Sequence, residues 1–192
     1  MIGCVIGMLV PAAAACRTHE PDSAELNRFL ASALDETGLP GMAVAVTRGP
    51  DVIYLKGFGS DGHGHGHGIT PGTQFRIASL SKSFTAVAVL QLAEAGQVER
   101  DAPVQAYLPN FVTADPSASR RITVRHLLNQ TSGMADAGFP AIANDQSGSL
   151  EQRLESLRGA RLVSDPGQEF HYFDPNYQLL ARLVEVVAGV PF

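Results

Sequence analysis

Ser79 and Lys82 stand three residues apart in Phe75-Arg-Ile-Ala-Ser-Leu-Ser-Lys-Ser-Phe-Thr-Ala86, and their types and spacing suit acyl-transfer chemistry. Positions i and i+3 of a helix share a face, so a hydroxyl and an amine placed there come within hydrogen-bond reach. A serine hydroxyl is a weak nucleophile until a base beside it takes the proton. A lysine amine serves as that base when burial and the positive end of a helix dipole disfavour the ammonium. The chain holds 13 Ser and two Lys, so Ser-x-x-Lys arises by chance only about 0.14 times at this composition. The competing reading is that Ser79 caps the helix, the usual task of serine at such a boundary.

These two side chains need a rigid support. Phe84 to Ala95 is apolar nearly all round and stops at Gly96, which reads as a buried central helix. Upstream, Asp22-Ser-Ala-Glu25 forms a capping box, and Leu26, Phe29, Leu30, Ala33 and Leu34 continue at helical spacing to a stop at Gly38. Met42 to Thr47 and Val52 to Phe58 are β-prone runs joined by Arg48-Gly-Pro-Asp51, which predicts an antiparallel hairpin. Asp101 to Asn110, with two prolines, reads as an ordered connection, and Ile122 to Asn129 as a strand-like entry and a helical turn. Ala135 to Gly148 reads as an exposed loop, and Leu150, Leu154 and Leu157 mark a short helix over Ser149 to Leu157. Asp174-Pro175 predicts an N-cap with proline at the first helical position, opening a helix through Leu179, Leu180, Leu183, Val184 and Val187 to Gly189.

The segment around Ser79 resembles the nucleophile motif of the serine β-lactamase and penicillin-binding-protein superfamily, nearest to class C β-lactamases and their esterase and peptidase relatives. The resemblance runs from about Leu39 to Phe192 through four further blocks: Pro40 to Val46, Gly96 to Val104, His126 to Gly133, and Phe170 to Leu180. It implies an α+β fold of the β-lactamase/transpeptidase type, an antiparallel sheet flanked by helices. It also implies a proton-transfer role for Tyr172, and for position 174 a polar contact to the lysine and the substrate. Family members usually carry Tyr-x-Asn there, whereas this chain has Tyr172-Phe-Asp174. A carboxylate lacks the amide's donor protons and favours Lys82 as the ammonium. His126 is expected to be a structural residue of the framework. No Lys-Thr-Gly or His-x-Gly triad occurs, so the chain is expected to be the N-terminal part of a larger hydrolase, its C-terminal strands absent.

At 192 residues, with 45% hydrophobic and 17% charged residues, the chain has the composition of a folded domain. A net charge of -5 gives no footprint for nucleic acid, and Arg120, Arg121 and Arg125 read as solvated surface. Residues 1–15 are an apolar run ending in small residues, which fits a signal peptide cleaved after Ala15 and an exported, periplasmic or extracellular protein over 16–192. Cys16 would then come first, which makes a lipid anchor there a secondary expectation and the leader or anchor the sole link to a membrane. His63, His65 and His67 alternate with glycine, which reads as a flexible loop in preference to a metal site, because nothing fixes the ligands. Neither metal nor cofactor is implied, and the expected partner is a small-molecule or peptide substrate; oligomeric state is left open. Two classes of function follow: a serine hydrolase acting through an acyl-enzyme on a β-lactam, a D-amino-acid peptide or an ester, or a truncated, non-catalytic remnant that binds a β-lactam or peptidoglycan peptide.

Overall fold

Two apolar, β-prone runs build the hairpin. In the computed structural model, which describes residues 23–62, 66–138 and 149–192, strand β1 (Gly41–Arg48) pairs antiparallel with β2 (Asp51–Gly59). Met42 faces Phe58, Val44 faces Lys56 and Val46 faces Tyr54; the register slips between Val46 and Thr47, so Arg48 closes on Asp51. Gly49 takes φ +55° in the two-residue turn, a conformation open to glycine at little cost. Helix α1 (Ser23–Thr37) ends at Gly38 with φ +68°, as its sequence predicts. Its Asn27 side chain accepts from Tyr54 Oη at 2.8 Å and Lys56 Nζ at 2.9 Å, tying the helix to β2. These elements belong to one compact unit, Met1–Arg76, in which Ile69 is the one buried apolar side chain among the described residues, at 9% exposure. Phe29, expected on the buried face of α1, is exposed.

The second unit, Ile77–Phe192, holds a larger core. Helices α2 (Ser81–Glu94), α4 (Val124–Leu128) and α5 (Leu150–Ser156) all pack on α6 (Asp174–Ala188). The apolar stripe of α6 buries Leu179, Leu180 and Leu183 against Val89, Leu127, Leu154 and Phe111, the spacing that the sequence predicts. Gly189 ends α6 in the left-handed region. Val104–Ala106 is a single 3-10 turn in an ordered connection, and Pro103 bridges Thr123 at the entry to α4. Ser149 and Gln152 form a reciprocal cap on α5, legible in the Ser-x-x-Gln pattern but not anticipated.

Three expectations are corrected here. Helix α2 is not buried all round: Thr85 and Val89 face the core, while Phe84 and Val87 are 68% and 54% exposed, because α2 meets α6 along one side only. Ser79 does not cap α2; it lies in a 3-10 turn, Ala78–Leu80, and Leu80 occupies the cap position with no side-chain bond. Asp174 does not cap α6 either, since Phe173 stands at the cap position and the carboxylate is engaged elsewhere. The leader, Cys16, Asp22 of the α1 capping box, His63, His65 and residues 139–148 of the expected loop lie outside the described residues. None of the described helices is long and apolar enough to cross a membrane.

Candidate active site

Ser79 is placed by backbone geometry and not by a cap. The residue before it, Ala78, has φ +45°, a left-handed conformation that costs a side-chain-bearing residue roughly 1–2 kcal/mol. One helical turn on, Lys82 Nζ donates to Ser79 Oγ at 3.1 Å, which confirms the contact inferred from the spacing. The second contact comes from far along the chain. Tyr172 Oη donates to the same Ser79 Oγ at 2.7 Å, and the Tyr172 ring centroid lies 4.8 Å from Lys82 Nζ. Asp174 completes the group, with Oδ1 2.6 Å from Lys82 Nζ. Ser79, Lys82, Tyr172 and Asp174 are therefore all brought together.

The charge state of Lys82 departs from the expected free amine. Burial pulls its pKa down, but hydrogen bonds with Asp174 and Tyr172, joined by the Asp174 charge, outweigh burial and hold the amine above its ordinary range. The lysine side chain is 18% exposed and the Asp174 side chain 50%, so the pair turns its negative member toward solvent.

A buried polar network fixes the segment that carries Tyr172, and sequence reasoning missed it. Gln130, in a left-handed conformation with φ +63°, grips the segment on both sides of the tyrosine. Its carbonyl accepts from His171 N at 2.9 Å, and its Oε1 accepts from Phe173 N at 3.1 Å. Asn176, on the first turn of α6, donates through Nδ2 to the same Oε1 at 2.6 Å. Asn176 Oδ1 in turn accepts from buried Ser132 Oγ at 2.7 Å, and that hydroxyl accepts from Met134 N at 3.2 Å. Gln130 Nε2 is buried without a partner, while the other bonds of the network hold one arrangement, because breaking any of them leaves a further desolvated group. Gln130, Ser132 and Asn176 lie in the polar stretches Asn129-Gln-Thr-Ser132 and Asp174-Pro-Asn176, where nothing in the sequence marks them as buried.

His126 is a framework residue, as expected. Its backbone N–H donates to Thr123 Oγ1 and its Nδ1 accepts from Thr123 N, both at 3.2 Å, which closes the N-terminus of α4. Burial lowers its pKa. The arginines are not all idle surface: Arg125 forks onto Asp101 at 2.6 and 2.8 Å, and Arg121 reaches Asp165 at 2.7 Å. Among the described residues no group of three His, Cys, Asp or Glu is placed to hold a metal ion.

Known proteins are similar to this chain over most of its length. Protein flp of Staphylococcus aureus (strain N315) is 27% identical over 164 residues, covering 85% of this chain and 33% of that protein. The structure of EstCE1, described as a hydrolase with promiscuous acyltransferase activity, aligns with a TM-score of 0.75 at 30% identity, covering 88% of this chain and 48% of EstCE1. The octameric penicillin-binding protein homologue from Pyrococcus abyssi aligns with a TM-score of 0.73 at 28% identity, covering 88% of this chain and 40% of that one. The chain thus spans less than half the length of each of these relatives. The fold shared with them is the β-lactamase/transpeptidase type, of which the described residues supply helices and one antiparallel pair of strands. Since the profile named Beta-lactamase matches residues 26–192, which include all four residues of the site, the chain belongs to that family.

Proposed function

We propose that the protein is a serine hydrolase that works through an acyl-enzyme, with Ser79 as nucleophile and Lys82 and Tyr172 moving the proton. The observation that carries this reading is the pair of contacts on Ser79 Oγ, 3.1 Å from Lys82 Nζ and 2.7 Å from Tyr172 Oη. In the reactive form Lys82 is a free amine and takes the Ser79 proton as Oγ bonds to the carbonyl carbon of an amide or ester. The bond from that carbon to the leaving nitrogen or oxygen breaks. The proton returns from Lys82 through the Tyr172 hydroxyl to the leaving atom, which restores the amine. Water then attacks the acyl-serine carbonyl and gives a proton to Lys82, the bond from that carbon to Ser79 Oγ breaks, Oγ takes the proton from Lys82, and the acid leaves. The substrate class in this reading is a β-lactam, a D-amino-acid peptide or an ester, met outside the cytoplasm if residues 1–15 are a leader.

One observation favours a second reading, a protein that binds such ligands without turning them over. The 2.6 Å pair with Asp174 keeps Lys82 as the ammonium, the form that cannot accept the Ser79 proton. Labelling separates the two. Incubation with a fluorophosphonate or a penicillin, followed by intact-mass analysis, should show a single adduct that Ser79→Ala abolishes. Equal labelling of the variant would remove Ser79 from the nucleophile role, and no adduct from either reagent would favour the binding protein.

A further inference from the structure

Lys82 and Asp174 form an ion pair whose two ends are unequally accessible. The ammonium lies against Ser79 Oγ and the Tyr172 ring and is 18% exposed, whereas half of the Asp174 side chain remains open to solvent. A molecule arriving at Ser79 therefore meets the carboxylate before the amine. An ionised carboxylate only accepts hydrogen bonds, so a group that settles on it must donate, as an amide N–H or an ammonium does. A second carboxylate brought there is repelled by Asp174, and the Lys82 ammonium behind it already has its charge paired at 2.6 Å. The chain's net charge of -5 acts in the same direction over longer range.

We infer that Asp174 sets the charge preference of the site: the acyl groups it accepts carry an ammonium or N–H donor near the scissile carbonyl, and acyl groups carrying a carboxylate are turned away. The inference rests on the hydrolase reading and narrows its substrate class. It assigns Asp174 a selecting role, separate from the bond-making at Ser79.

Three 4-nitrophenyl esters of matched length test it: 4-ammoniobutanoate, pentanoate and hydrogen succinate. The rate at which each acylates Ser79 is followed by released nitrophenolate and by adduct mass. The unaltered protein should favour the ammonium ester over the succinate by about tenfold at low salt, the neutral ester falling between, and the ratio should shrink as salt is raised. In Asp174→Asn the ratio should fall to near unity whatever happens to the absolute rates. A succinate ester that acylates Ser79 as fast as the ammonium ester, or a ratio unchanged in Asp174→Asn, overturns the charge preference while leaving the hydrolase reading in place. Failure of all three esters and of a neutral fluorophosphonate to label Ser79 overturns the hydrolase reading itself, and the preference with it. The comparison of esters on the unaltered protein decides the matter even if the variant does not fold.

Discussion

At the scale of single residues, Lys82 is pulled in two directions, and the outcome sets what the site does at neutral pH. Burial favours the free amine, while Asp174 and Tyr172 favour the ammonium and prevail. A group whose pKa is raised by folding contributes stability below its unfolded value and loses it as pH rises through the folded value, so this pair holds across the neutral range and opens in alkali. In the proposed chemistry the acylation rate of the native protein therefore rises with pH toward the lysine range. Asp174→Asn removes the carboxylate and leaves burial to act on the amine, so its rate profile should move to lower pH. At pH 7 we expect a gain of about tenfold in acylation, equivalent to about 1.4 kcal/mol of barrier. Stopped-flow acylation measured from pH 6 to pH 10, the span between ordinary His and Lys values, checks this. An unchanged profile would mean that Lys82 does not take the proton.

At the scale of elements, α4 is a short helix whose start depends on one side chain. Thr123 and His126 cap it reciprocally, with His126 Nδ1 acting as the acceptor for Thr123 N. Protonation of that nitrogen turns an acceptor into a donor and breaks the bond. Burial, the largest influence, holds the His126 pKa below its ordinary value of about 6.5, so on acidification the unfolded chain binds this proton first. Stability is thus unaffected above that range and falls as pH drops from about 6.5 through the lower folded value. Urea midpoints of the native protein and His126→Gln should diverge over this window, the native protein losing more. Parallel curves would show that His126 contributes nothing to acid sensitivity. The same element leads through Thr131 N, which donates to His126 O at 2.8 Å, into the Gln130 network that grips Tyr172, so α4 supports the site without touching Ser79.

At the scale of the whole molecule, the two compact units differ in how much apolar surface each buries by itself. The unit containing Ile77–Phe192 has fully buried Phe111, Ile122, Leu127, Leu180 and Leu183 around α6. The described part of the Met1–Arg76 unit has no fully buried apolar side chain, Ile69 at 9% exposure coming nearest, and its sheet has two strands, an arrangement that is marginal in water. Amides of β1 and β2 should accordingly exchange with deuterium on the order of a hundredfold faster than those of Leu180 and Leu183. Equal protection, read by fragment mass or by NMR, would show that the hairpin draws stability from a source other than its own burial.

Local signals in the sequence determined most of the elements. Glycine at 38, 96 and 189 adopts positive φ and stops three helices, and two β-prone runs joined by Arg48-Gly-Pro-Asp51 set the hairpin, because each outcome is decided within a few residues. The i, i+3 spacing likewise sufficed to join Ser79 and Lys82. Partners distant in sequence were a different matter. Asp-Pro occurs at 115–116 and at 174–175 ahead of a helix, and the two dipeptides predict the same cap. Asp115 does cap α3 (Pro116–Ser119), its Oδ1 accepting from Ser117 N at 2.8 Å and Ala118 N at 3.0 Å. Asp174 caps nothing, because the fold brings an ammonium from α2 to 2.6 Å from its carboxylate, and a charged donor outcompetes a backbone N–H. The same long-range packing placed Tyr172 on Ser79, 93 residues away, chose Gln130 as the clamp, and left Phe84 exposed on a helix that reads as buried. Residue types and spacings determined which groups could react. Only the tertiary structure decided which competing partner each of them holds, since that choice turns on which groups lie within about 3 Å, the reach of a hydrogen bond.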